Sequence, residues 1–171
     1  DLIPLIDWCK QIGFDVIQLL PLNTTDNDPS PYNPNSSCAL SFIYLSLHAL
    51  PNMEKLPELK EKLMDFRKFN LSPKVPHADV LAHKLLWLRA YFDAMGADIT
   101  NSSTFLQFCR ENPWVQSYAL FKTLKDQLGN TPCSIWPQEL LFPSEEKLQE
   151  LLTKYRLETL FYSFLQFLCY E

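Results

Sequence analysis

Residues 1–22 read DLIPLIDWCKQIGFDVIQLLPL, and their pattern sets the expected fold class. Leu2, Leu5, Ile6, Cys9 and Ile12 recur every three or four positions, the spacing of one helical face. Asp1 supplies a start signal, and Gly13 stands where a left-handed residue closes a helix. Val16–Leu20 is apolar apart from Gln18, as a strand buried on both faces of a parallel sheet is. Pro21 then stops the ladder. Helix, short link and buried strand make half of a βαβ unit, so the expected class is α/β.

The loop leaving that strand is polar and stiff. In PLNTTDNDPSPYNPNSSCAL, residues 21–40, Pro29, Pro31 and Pro34 fix their own φ and push the preceding residues toward extended backbone. Tyr32 is held between two of them, which lowers the entropic cost of fixing its ring. Asn23, Thr24, Asp26, Asn27, Asp28, Ser30 and Asn33 supply short donors and acceptors. In parallel α/β folds, loops at the C-terminal ends of strands build the site. A fixed aromatic face beside hydroxyl-matching groups suits a sugar. The competing reading is a proline-rich connector with Tyr32 packed as a plug, and composition alone slightly favours it.

Beyond the loop, CALSFIYLSLHAL (residues 38–50) fits a short helix or a strand equally well. The chain then turns helical. Leu56, Leu59, Leu63 and Phe66 share one face of a charged segment. Val80, Leu81, Lys84, Leu85, Leu88, Tyr91, Phe92 and Met95 form a wide stripe that Gly96 is expected to end. Ser103 is the expected cap of the next short helix, and Gly129 the stop of the one after it. Ser144, with acids in the following turn, starts an apolar, aromatic helix. Phe161, Tyr162, Phe164 and Phe167 on it are expected in the core. The expected domains are an αβ unit with its loop over 1–50, a helical insertion over 51–143, and a helix returning to the barrel over 144–171.

Composition narrows the function. The chain has 171 residues, 47% of them hydrophobic, enough for a sizeable core. Its net charge of −5, without a basic stripe, speaks against nucleic acid. No apolar run is long enough for a membrane span, and the opening does not look like a secretory signal, so a cytoplasmic setting is expected. Five scattered cysteines without a CxxC argue against a zinc site. Three glycines form no nucleotide-binding loop. No cofactor and no metal are expected. His48, His77 and His83 lack ligand spacing, and Glu145, Glu146 and Glu150 read as a solvated first turn.

The ordered motifs resemble one family. Residues 1–23 followed by SPYNPNSSCALSFIYLSL (30–47) resemble the 4-alpha-glucanotransferases, also called amylomaltases or disproportionating enzymes. ADVLAHKLLWLRAYFD (78–93), NPWVQSYALFKTLKD (112–126), WPQEL (136–140) and LFYSFLQFLCYE (160–171) continue the likeness in order. The resemblance implies a partial (β/α)₈ barrel with a large, mainly helical insertion. It implies transfer of α-1,4-glucan segments between maltooligosaccharides by a retaining double displacement. In the family the two carboxylates lie on later barrel strands, so no catalytic residue is expected here. Ser30 and Tyr32 match a Ser-Pro-Tyr motif that lines sugar subsites, and Asp28 matches the acid before it. Asn27 stands where many members have a tyrosine, and Pro34 inside YNPNSS is unusual for the family. The alternative reading is a non-enzymatic helical interaction module built on the amphipathic segments 51–70 and 78–95.

Overall fold

The apolar stripes fold into eight α-helices among the described residues of a computed structural model, which are 2–25 and 28–171. The start signal at Asp1 and the expectations on Asp26 and Asn27 lie outside these residues. Helix α1 (Leu2–Gln11) ends as its sequence predicts. Gly13 adopts φ +88°, and Gly13 and Phe14 N–H groups donate back to Lys10 and Cys9 carbonyls. That closes the helix as a Schellman motif.

The expected strand does not form. No strand is assigned among the described residues, and the β-pairing is a single antiparallel bridge between Asn23 and Leu40. Residues 14–22 are irregular, and Val16 is 82% exposed. The reason is non-local. A parallel strand is held by ladders to neighbouring strands, and no other described segment forms one. Ile3, Trp8 and Phe14 are likewise exposed, so the whole αβ opening presents an apolar surface.

Residues 38–50, open between helix and strand in the sequence, become 3₁₀ turns at Phe42–Tyr44 and Leu47–Ala49. The charged stripe after them is helical in register but not one α-helix. Pro57–Lys62 forms α2, and Leu63–Leu71 tightens to 3₁₀. The Trp87 indole takes the Leu59 carbonyl (2.9 Å), the acceptor that Leu63 would use in an α-helix. Leu63 N–H turns to Lys60 instead. Leu59 and Leu63 are still buried.

Helix α3 (His77–Thr100) runs through Gly96 rather than ending there. The Phe92 ring lies so close that a Cβ on Gly96 would meet it at 2.6 Å. Close packing, not termination, explains that glycine. Helix α4 (Ser103–Glu111) is capped one residue earlier than expected, by Ser102, whose hydroxyl accepts from Phe105 N–H. Helix α5 (Trp114–Gln127) stops at Gly129 as predicted. After the one-turn α6 (Gln138–Leu141), Ser144 caps α7 (Glu145–Lys154) by accepting from Lys147 N–H. Helix α8 (Arg156–Tyr170) is the hub and packs on α3, α4, α5 and α7. Phe161, Tyr162, Phe164 and Phe167 are all buried, as their spacing predicts. One core runs from Phe42 through α3 to Leu168. A smaller cluster forms where Trp136 meets Leu120, Leu124 and Leu151.

Candidate functional site

The polar loop is built around a carboxylate. Asp28 Oδ1 accepts from the Ser30 N–H, and Oδ2 accepts from the Asn33 side-chain amide, both at 2.8 Å. Asn33 N–H reaches the Ser30 carbonyl at 3.4 Å, closing a turn with Pro31 at its second position. Proline is favoured there because its φ is already set. The Asn33 amide, followed by the Ser30 N–H, holds the Asp28 carboxyl below the usual carboxylate range. The turn's Asp28 contacts therefore hold at neutral pH and are lost as pH falls through that lowered value. Loss of the Asn33 side-chain amide signal in acid, measured by NMR, checks this.

The structure thus brings Asp28, Ser30 and Tyr32 into one turn. Within these residues the Tyr32 side chain is not packed as a plug: it is 71% exposed at the third position of that turn.

Below the turn the loop is anchored to the helical core. Thr24 is buried and exchanges backbone hydrogen bonds with Ala39 and Asn35. Asn23 Nδ2 donates to the Ser37 carbonyl at 3.1 Å. Two buried polar side chains then clamp the returning strand of chain. Gln166, 1% exposed, accepts from Leu40 N–H (2.9 Å) and donates to Leu40 C=O (3.0 Å). It does for Leu40 what a neighbouring strand would do. Tyr170 on the same helix donates to the Cys38 carbonyl at 2.7 Å.

Lys84 of α3 is the second clamp. Its ammonium donates to the carbonyls of Ile43 (2.6 Å) and Leu45 (2.5 Å). Burial pushes its pKa down to about 8, and Cys169 nearby pulls it partly back. The sequence placed Lys84 in an apolar stripe and Gln166 in an aromatic helix without a role. One signal was present in each case: a polar residue in the middle of a buried face, which must find a partner.

Lys84 gives a pH prediction. Between pH 8 and 10.5 the unfolded chain holds the lysine proton and the folded chain does not. Stability linked to this group therefore rises with pH across that window. The unfolding free energy of the parent should rise relative to Lys84→Met by at most about 1.4 kcal/mol per pH unit there. Urea denaturation of both proteins at several pH values measures it. Taking the difference removes groups that do not sense Lys84; Cys169, whose thiol burial pushes up to about 12, does sense it and acts with the opposite sign.

Comparison with known proteins places the chain. Residues 1–171 match the 4-alpha-glucanotransferase family throughout. The chain belongs to this family. The 4-alpha-glucanotransferase of Chlamydia pneumoniae is 41% identical over 173 residues, covering 100% of this chain and 32% of that protein. The 4-alpha-glucanotransferase DPE2 of Oryza sativa subsp. japonica is 34% identical over 161 residues, covering 90% of this chain and 17% of that protein. Among solved structures, an amylomaltase from Streptococcus agalactiae in complex with acarbose superposes with a TM-score of 0.82 at 20% identity. It covers 98% of this chain and 34% of that one. This chain of a 4-alpha-glucanotransferase family thus spans about a third of the bacterial relatives it matches. Among the described residues, no helix is long and apolar enough to cross a membrane, and no cluster of metal-ligating side chains is found.

Proposed function

We propose that this chain is the glucan-holding part of a 4-alpha-glucanotransferase barrel. The observation that carries the reading is the family match over the whole chain, joined to an exposed tyrosine on a pinned turn. Tyr32 stacks on the apolar face of a pyranose. Ser30 offers its hydroxyl to the sugar. Asp28 spends one lone pair of each oxygen on the turn and has others left for a sugar hydroxyl. Its main work is to set the turn that presents Tyr32.

The chemistry in this reading is a retaining double displacement, with two carboxyl groups about 5–5.5 Å apart forming and resolving a glycosyl-enzyme. Those carboxylates belong to later barrel strands, outside these residues. The exposed apolar surface of α1 and residues 14–22 supports the same picture, because barrel neighbours would cover it. Residues 51–143 are then an insertion, and 144–171 the return to the barrel.

Tyr32→Ala in the intact polypeptide tests the site. The expected result is a loss of about tenfold in kcat/KM for maltooligosaccharide transfer, on the order of one aromatic contact. The melting temperature should not move, because the ring is exposed. Unchanged kinetics would remove Tyr32 from the site.

A further inference from the structure

A cleft of about 590 Å³ opens on the far helices, where the end of α3, α4, the start of α5 and the start of α8 meet. Its volume is in the range of small-ligand sites, about 300–1,000 Å³. The charged residues lining it are Arg110 and Arg156, and no acid is among them. In a chain of net charge −5 that is a local reversal of sign. Neither guanidinium is ion-paired among the described residues.

Two further features converge on the same space. Thr159 lines the cleft and is 7% exposed, yet its hydroxyl has no hydrogen-bond partner. The first turn of α5 borders the cleft through Val115 and Gln116, and no side chain caps that helix. Its end adds partial positive charge to that of the arginines. The rest of the lining is mixed. Asn101 and Gln116 carry amides, and Leu106 and Leu160 are apolar.

We propose that this cleft binds a phosphorylated monosaccharide. Two guanidinium forks match the oxygens of a phosphate monoester in a way that lysines do not. The Asn101 and Gln116 amides suit the hydroxyls of a sugar body, and the apolar wall suits its ring face. The inference does not use the Tyr32 loop, so it stands or falls separately from glucan transfer.

Isothermal titration of the intact polypeptide with glucose 6-phosphate tests it. Saturable, salt-sensitive binding at millimolar or lower concentration is the expected result. Arg110→Gln and Arg156→Gln should each weaken it by about tenfold or more, the loss of one charge-assisted contact. Both arginines are exposed, so the variants should keep the parent's melting temperature. Amide shifts on titration should fall on Arg110, Gln116 and Thr159, which localises the ligand without any substitution. Absence of saturable binding would overturn the proposal. So would binding that both variants leave unchanged. Inorganic phosphate or glucose binding as tightly as glucose 6-phosphate would also overturn it, since neither carries both halves of the ligand.

Discussion

Gln166→Leu should lower the unfolding free energy by about 2–6 kcal/mol, because it leaves two backbone groups without partners at a cost of about 1–3 kcal/mol each. The bond pair spans 126 positions in sequence and joins α8 to the end of the polar loop. Leucine fills much the same space but can neither accept from Leu40 N–H nor donate to Leu40 C=O. The loop's return, and with it the turn at Asp28–Asn33, should loosen before the helices do. Urea denaturation measures the first effect, and faster exchange of the Leu40 amide hydrogen measures the second. Gln166→Glu sharpens the test. A carboxylate keeps the acceptor for Leu40 N–H but sets a negative oxygen against Leu40 C=O. Protonation restores the donor, so this variant should recover stability as pH falls. A loss below about 0.5 kcal/mol for Gln166→Leu, the range of ordinary surface changes, would mean the clamp is not holding the loop.

Phe164→Ala should be at least as damaging. Its ring is fully buried, with the Tyr91 and Phe92 rings at 5.9 and 5.1 Å. Phe92 in turn covers Gly96, so the neighbours cannot collapse into the space without disturbing α3. A truncation of this kind costs about 3–5 kcal/mol, from lost transfer energy and the cavity left behind. Phe142→Ala serves as the control, because Phe142 is 80% exposed. Its effect should stay within about 0.5 kcal/mol. Similar losses from both would show that the helical core is not centred on α8.

The sequence was most legible where the controlling interactions are local. Gly13, Gly129 and Ser144 end or start their helices as read, because caps are settled within one turn. The aromatic spacing of α8 gave the core residues directly. Legibility failed where a distant partner decides. Val16–Leu20 has the composition of a buried strand, but composition cannot supply the neighbouring strands that make a ladder. Leu63–Leu71 keeps helical register yet tightens, because the Trp87 indole takes the Leu59 carbonyl. Gly96 looked like a stop because the Phe92 ring that needs its missing side chain could not be seen. In the candidate site, the stiff polar loop around Tyr32 was readable from its prolines, but the turn that Asp28 and Asn33 close within it was not. Lys84 and Gln166 were not, since their partners lie 39 to 126 residues away. The family was legible because its motifs recur in order along the chain, each weak alone.

We propose that this chain holds glucan while carboxylates elsewhere in the polypeptide break its bond. The most direct measurement is the product pattern from maltotriose. The intact polypeptide should convert it into glucose and a ladder of longer maltooligosaccharides, and residues 1–171 alone should leave it unchanged. Maltotriose left intact by the full polypeptide, or a ladder made by residues 1–171 alone, would contradict the account.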